Sequence, residues 1–139
     1  MTTIILLKIE SIERCVNRIK KLYTEGSLDD YLYQDAIVLN LQRACQQAID
    51  LSMYLCSEMH FGIPKKSRQA FEMLYKNHVI DEVIYKKMAG IVGFRNIAVH
   101  EYQHLNIDIL KNIIETELDD FFAFTKQIIA FLRKTEKSQ

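Results

Sequence analysis

From Arg95 to Tyr102 the chain reads Arg-Asn-Ile-Ala-Val-His-Glu-Tyr: a guanidinium, an imidazole and a phenol in a stretch otherwise suited to an apolar helix. These groups can bind, protonate or carry a phosphate. A guanidinium offers a planar fork of donors that matches phosphate oxygens and keeps its charge at any accessible pH. An imidazole, with a reference pKa of about 6.5, takes or gives a proton near neutrality. Arg95, Asn96 and His100 together suit cleavage of a phosphodiester by way of the ribose 2′-hydroxyl. His100 would move the proton, Arg95 would hold the phosphate and stabilise charge growing on its oxygens, and Asn96 would orient either the imidazole or the phosphate. That chemistry calls for no metal.

A second chemistry overlaps the first. His100-Glu101-Tyr102-Gln103-His104 fits H-E-x-x-H, in which two histidines on one helix face grip zinc beside a glutamate base. Such a peptidase also needs a third ligand and a strand edge to hold its peptide, and the sequence offers no strand. Asn106 reads as the cap of a new helix, so the preceding helix has to stop near His104, where the zinc geometry would be lost. Neither metal nor cofactor is expected.

Five residues of ideal helix rotate by about 140°, so Arg95 and His100 cannot share a face of an unbroken helix. Either the helix breaks near His100, or two copies of the segment meet and supply complementary halves of a cleft. Gly90 and Gly93 lie on the turns just before Arg95, where missing side chains admit another backbone, from within the same bundle or from a second copy.

The elements that must position these residues follow from the spacing of apolar side chains. Ile5, Ile9, Ile12, Val16, Ile19 and Tyr23 recur at three and four, which predicts a helix from about Thr3 to Tyr23 that Glu25-Gly26-Ser27 ends. A long helix follows, roughly Asp30 to Phe61, with Ile37, Leu41, Ala44, Cys45, Ala48, Leu51, Ser52 and Leu55 on one face. Gln42, Gln46 and Asp50 form another face, either a solvated stripe or a route by which Asp50 reaches Arg95. After Gly62-Ile63-Pro64, Ser67 can cap a short helix of about ten residues holding Phe71 and Leu74. Asp81 caps the helix that leads into Arg95, with Ile80 and Tyr85 as a hydrophobic staple. A final helix starts at Asn106 and runs through Leu110, Ile114, Phe121, Phe124, Ile128 and Leu132. Phe121, Phe122 and Phe124 read as core or helix contacts rather than a base-stacking platform. The expected fold is all-α: one domain over residues 1–139, an antiparallel bundle of four long helices and one short one.

Composition narrows the partners. The chain has 139 residues, 18 Lys plus Arg against 18 Asp plus Glu, and so no net field to draw it to nucleic acid or membrane. Any polyanion site is local, and Lys65, Lys66 and Arg68 are a candidate cluster for steering RNA phosphates. Cys15, Cys45 and Cys56 fall among apolar residues without C-x-x-C spacing, which fits a reducing cytoplasm better than a disulfide framework or zinc knuckle. Met1 to Lys8 lacks a basic start and a long enough apolar run for a signal, and no later run approaches the roughly 18 apolar residues of a membrane span. His60 and His78 have no acidic or cysteine partner at ligand spacing and read as helix-end residues.

The R-x4-H-x-Y pattern of Arg95, His100 and Tyr102, with polar Asn96 after the arginine, resembles the HEPN superfamily and specifically its HepT-type toxins. Chain length, the long second helix and a motif just ahead of the last helix extend the resemblance over nearly the whole chain. It implies a homodimeric, metal-independent RNA endonuclease whose two arginines and two histidines converge at the subunit interface. It also implies a small nucleotidyltransferase antitoxin as partner. On that resemblance Arg95 and His100 are catalytic and Asn96 supports them. Tyr102 is the residue to which the partner transfers adenylyl groups from ATP, neutralising the toxin. An added nucleotide would compete for Arg95 with its charge and fill a cleft meant for RNA. The alternatives are a non-catalytic helical subunit that docks a nucleotidyltransferase and, behind it, the zinc peptidase.

Overall fold

The structure, a computed structural model, describes residues 1–100 and 106–137, with backbone alone at 96–100. Among the described residues the chain forms six helices. Helix α1 (Thr2–Glu25) buries Ile5, Ile9, Ile12, Val16 and Ile19, the stripe that its three-and-four spacing predicts. At its end Gly26 donates its N–H to the Leu22 carbonyl in extended backbone. A β-carbon there would overlap the Tyr33 ring, so the missing side chain is what lets the chain turn so tightly into α2 (Tyr31–Glu58). The Asp30 carboxylate caps α2 by accepting from Leu32 N at 2.9 Å. The loop is short, so the two long helices return antiparallel, and they form the most extensive pairing in the molecule. Ser52, buried among the apolar residues of α2, donates its hydroxyl to the Ala48 carbonyl at 2.9 Å and leaves no unpaired proton in the core.

Helix α3 (Ser67–Lys76) has the expected ten residues, but Ser67 does not cap it. Lys66 holds the cap position without a side-chain bond, and Gln69 reaches back to accept from Lys65 N at 2.7 Å, doing the capping from inside the first turn. Phe71 meets Phe124 edge to face at 5.9 Å, which ties α3 to the last helix through the core. Both α2 and α3 end on a histidine in the left-handed region, His60 at φ 56 and His78 at φ 61. Phe61 N bonds to the Cys56 carbonyl and Val79 N to the Leu74 carbonyl, each at 2.9 Å, so each histidine occupies the place glycine usually takes in a Schellman closure. They are helix-end residues, as their surroundings in the sequence suggest.

Asp81 starts α4 (Glu82–His100) by accepting from Ile84 N at 2.8 Å, as expected. Gln127 then clamps Asp81 from the last helix, bonding its backbone N–H at 2.9 Å and its carboxylate at 2.8 Å. Tyr85 stacks on Tyr75 at 5.4 Å, joining α4 to α3. The final helix expected from Asn106 is two helices, α5 (Ile107–Thr116) and α6 (Leu118–Lys137). Asn106 does cap the first, accepting from Asp108 N at 2.8 Å and Ile109 N at 3.4 Å. The break has a local cause. The Thr116 hydroxyl bonds back to the Asn112 carbonyl at 2.7 Å, a contact that bends helices, and Asp119 and Asp120 then favour a fresh positive N-terminus. The bundle therefore has four long helices and two short ones. None of the described helices is long and apolar enough to cross a membrane.

Candidate active site

Arg95 lies one residue past buried Phe94 on the side of α4 that packs against α2. Its Nη2 donates to Gln46 Oε1 at 2.7 Å, and Gln46 Nε2 donates in turn to Asp50 Oδ1 at 2.8 Å. The Gln46 and Asp50 side chains are partly buried, so this polar chain is sheltered from water at the α2–α4 seam. Beside it, Cys45 is fully buried with Sγ 4.0 Å from the Ile91 carbonyl. Burial pushes its thiol well up, the nearby Arg95 charge only partly opposing that, so the group next to the site is neutral and unreactive.

The backbone of α4 stays helical through His100. Positions 95 and 100 are therefore about 140° apart on a single helix, and of the two geometries open to the motif, a break ahead of His100 is not the one this chain adopts. Backbone alone is described at Asn96 and His100, and Tyr102 and His104 lie outside the described residues, as does the rest of the H-E-x-x-H segment. Among the described residues no group of three His, Cys, Asp or Glu is placed to hold a metal.

Among the described residues Gly90 and Gly93 are not packed against another element: a β-carbon at either would meet none of their atoms within 4 Å. They floor a cleft of about 660 Å³ between α4 and the α5–α6 corner, walled by Lys86 and Lys87 on one side and Asn112 and Glu117 on the other. Lys87 is tied across it to Asp120 at 3.1 Å. Phe121 and Phe124 are core, while Phe122 lies half-buried beneath the Lys20 ammonium, 5.0 Å from its ring centre. Lys65, Lys66 and Arg68 are all exposed around the start of α3.

Gln46 is the site residue that periodicity placed on a plausible solvated stripe. The signal that singles it out is chemical: a guanidinium drawn into a seam between helices needs an acceptor there, and Gln42, Gln46 and Asp50 are the polar residues that α2 presents at a four-residue spacing.

An all-α bundle of this kind matches the fold of a solved HEPN toxin. A family model described as ribonuclease HepT-like matches residues 9–128, and the chain belongs to that family. It is 40% identical over 132 residues to the mRNA nuclease HepT of Shewanella oneidensis, covering 94% of this chain and 99% of that protein. It is 29% identical over 138 residues to the tRNA nuclease HepT of Aphanizomenon flos-aquae, covering 96% and 93% of the two chains. Among solved structures, the tri-AMPylated HEPN toxin of Shewanella oneidensis in complex with its MNT antitoxin matches with a TM-score of 0.87 at 40% identity, over 94% of this chain and 99% of that one.

Proposed function

We propose that this protein is the toxin of a toxin–antitoxin pair: a cytoplasmic, metal-independent RNA endonuclease that works as a homodimer and is silenced by adenylylation of Tyr102. The observation that carries the reading is the pairing of an anchored Arg95 with an unbroken α4. The guanidinium is held from α2 while the backbone at position 100 turns about 140° away, an arrangement that suits a site completed by a second copy. The nuclease names of the relatives and the AMPylated toxin in the similar complex support the same reading.

In the proposed cleft each subunit supplies Arg95 and His100. One neutral imidazole takes the proton of the ribose 2′-hydroxyl, whose oxygen attacks the adjacent phosphorus. The other, protonated, gives its proton to the departing 5′-oxygen. The products are a 2′,3′-cyclic phosphate and a 5′-hydroxyl, and the two imidazoles end with their protonation states exchanged. The arginines neutralise charge on the non-bridging oxygens as the phosphorus becomes five-coordinate. Asn96 supports the imidazole or the phosphate. An adenylyl group on Tyr102 brings a competing phosphate and the bulk of a nucleotide. A nucleotidyltransferase antitoxin transfers the group from ATP to the Tyr102 oxygen, with pyrophosphate as the leaving group.

The test is RNA cleavage in the presence of chelator by the wild type, Arg95→Ala and His100→Ala, with end-group analysis of the products. The expected outcome is cleavage by the wild type and loss of at least about a hundredfold in each variant. Equal cleavage by all three proteins, or none by unmodified wild type, removes the proposal. The second of those results, with normal growth of cells expressing the chain alone, would favour the non-catalytic docking subunit. Coexpression with the antitoxin should add adenylyl mass that Tyr102→Phe abolishes.

A further inference from the structure

Resting on the reading of Arg95 as the phosphate-binding group, we infer that Gln46, itself held by Asp50, is a positioning residue that sets the plane of the Arg95 guanidinium without drawing on its charge. The three side chains can join in only one sense. A guanidinium only donates, an ionised carboxylate only accepts, and an amide does both. Gln46 must therefore turn its oxygen to Arg95, at 2.7 Å, and its nitrogen to Asp50, at 2.8 Å. Flipping the amide would set donor against donor at one end and acceptor against acceptor at the other. Asp50 stands four residues along α2, one turn above Gln46 on the same face, so helix geometry builds the lock into the sequence.

The order of the three groups has a chemical purpose. A carboxylate in direct contact would grip the guanidinium with a charge-assisted bond about twice as strong as a neutral one, and would compete with a phosphate for it. Placing the neutral amide between them keeps the negative charge one residue back. Through this bond Arg95 is directed by a neutral acceptor, one that a phosphate can outbid. Fully buried Cys45 beside Gln46, its thiol held neutral, adds no charge to the same floor. Helix α2 is on this reading part of the catalytic apparatus, although it lies about 50 residues away from the motif in sequence.

The experiment measures kcat, KM and melting temperature on one defined RNA for the full chain and for Gln46→Leu, Gln46→Glu, Asp50→Asn and Arg95→Ala. Gln46→Leu, which removes the acceptor, should lower kcat by about tenfold to a hundredfold, in keeping with the effect of misaiming a reacting group, with little change in KM. Gln46→Glu has the same shape and still aims the guanidinium, but its charge should compete for it, so KM should rise about tenfold while kcat falls less. Asp50→Asn should fall between wild type and Gln46→Leu. A purely structural role would instead lower activity in step with melting temperature and treat kcat and KM alike in the leucine and glutamate variants; that pattern overturns the inference. So do leucine and glutamate variants that both stay within about twofold of wild type while Arg95→Ala is inactive. Full activity in Arg95→Ala is a different failure, since it removes the function itself.

Discussion

The Arg95 guanidinium is directed by a residue 49 positions earlier through a 2.7 Å bond. The motif that contains Arg95 was legible because its chemistry is local: three reactive side chains within eight residues stand out against an apolar helix. Gln46 was not, because which of several polar residues on α2 faces a given turn of α4 depends on how the helices cross, and periodicity carries no information about crossing. The cysteines show the reverse. Their apolar neighbours in the sequence already imply burial, and Cys15, Cys45 and Cys56 are all buried with thiols raised by desolvation. Raised thiol values mean that the folded state keeps protons the unfolded state sheds as pH climbs past the ordinary thiol value of about 8.5. The contribution is thus intact at neutral pH and lost on the alkaline side. At pH 8 the native protein should resist iodoacetamide for hours and take up a label at every cysteine only in denaturant. Rapid labelling of Cys45 in the native protein would contradict the packing described for it.

Element boundaries divided in an instructive way. The caps at Asp81 and Asn106 were readable, and both accept a backbone N–H at a helix start, as Asp30 also does. Ser67 failed as a cap because the cap position falls one residue earlier, at Lys66, and Gln69 reaches back from the first turn to accept from Lys65 N instead. The corner between α5 and α6 was missed for a related reason. Apolar periodicity continues through it, and only Thr116 and the two aspartates that follow betray a bend with neither proline nor glycine. The same backbone logic yields a stability prediction at the end of α3. His78 sits at φ 61, where a β-carbon is strained by about 1 kcal/mol that glycine does not feel. Exchanging His78 for Gly should therefore raise unfolding stability by up to about 1 kcal/mol, readable as a shift in urea midpoint at unchanged slope. A destabilised variant would mean that the exposed imidazole makes a contribution its backbone position does not suggest.

For the whole molecule the governing number is the angle of about 140° between positions 95 and 100 on α4, on which the proposal of a cleft shared by two subunits rests. That arrangement has a population signature. If a productive cleft needs both imidazoles, a dimer with one His100→Ala subunit is inactive, and only dimers of two wild-type chains cut RNA. After subunit exchange an equal mixture of wild type and His100→Ala should retain about a quarter of the wild-type rate, following the square of the wild-type fraction. Retention of half would mean that each chain acts alone and would remove the shared cleft. The balanced charge, 18 against 18, fits such an assembly, since it allows two copies to approach without mutual repulsion and leaves RNA to be recognised within the cleft.

The open floor at Gly90 and Gly93 turns this subunit into its own instrument. The chain has no tryptophan, and an indole installed at position 93 would, among the described residues, enter the cleft beside α4 rather than displace the core. Its emission would be the sole signal of its kind in the protein. Quenching or a blue shift on mixing with RNA, with the antitoxin or with further copies of the chain would report which of them comes to rest against that helix.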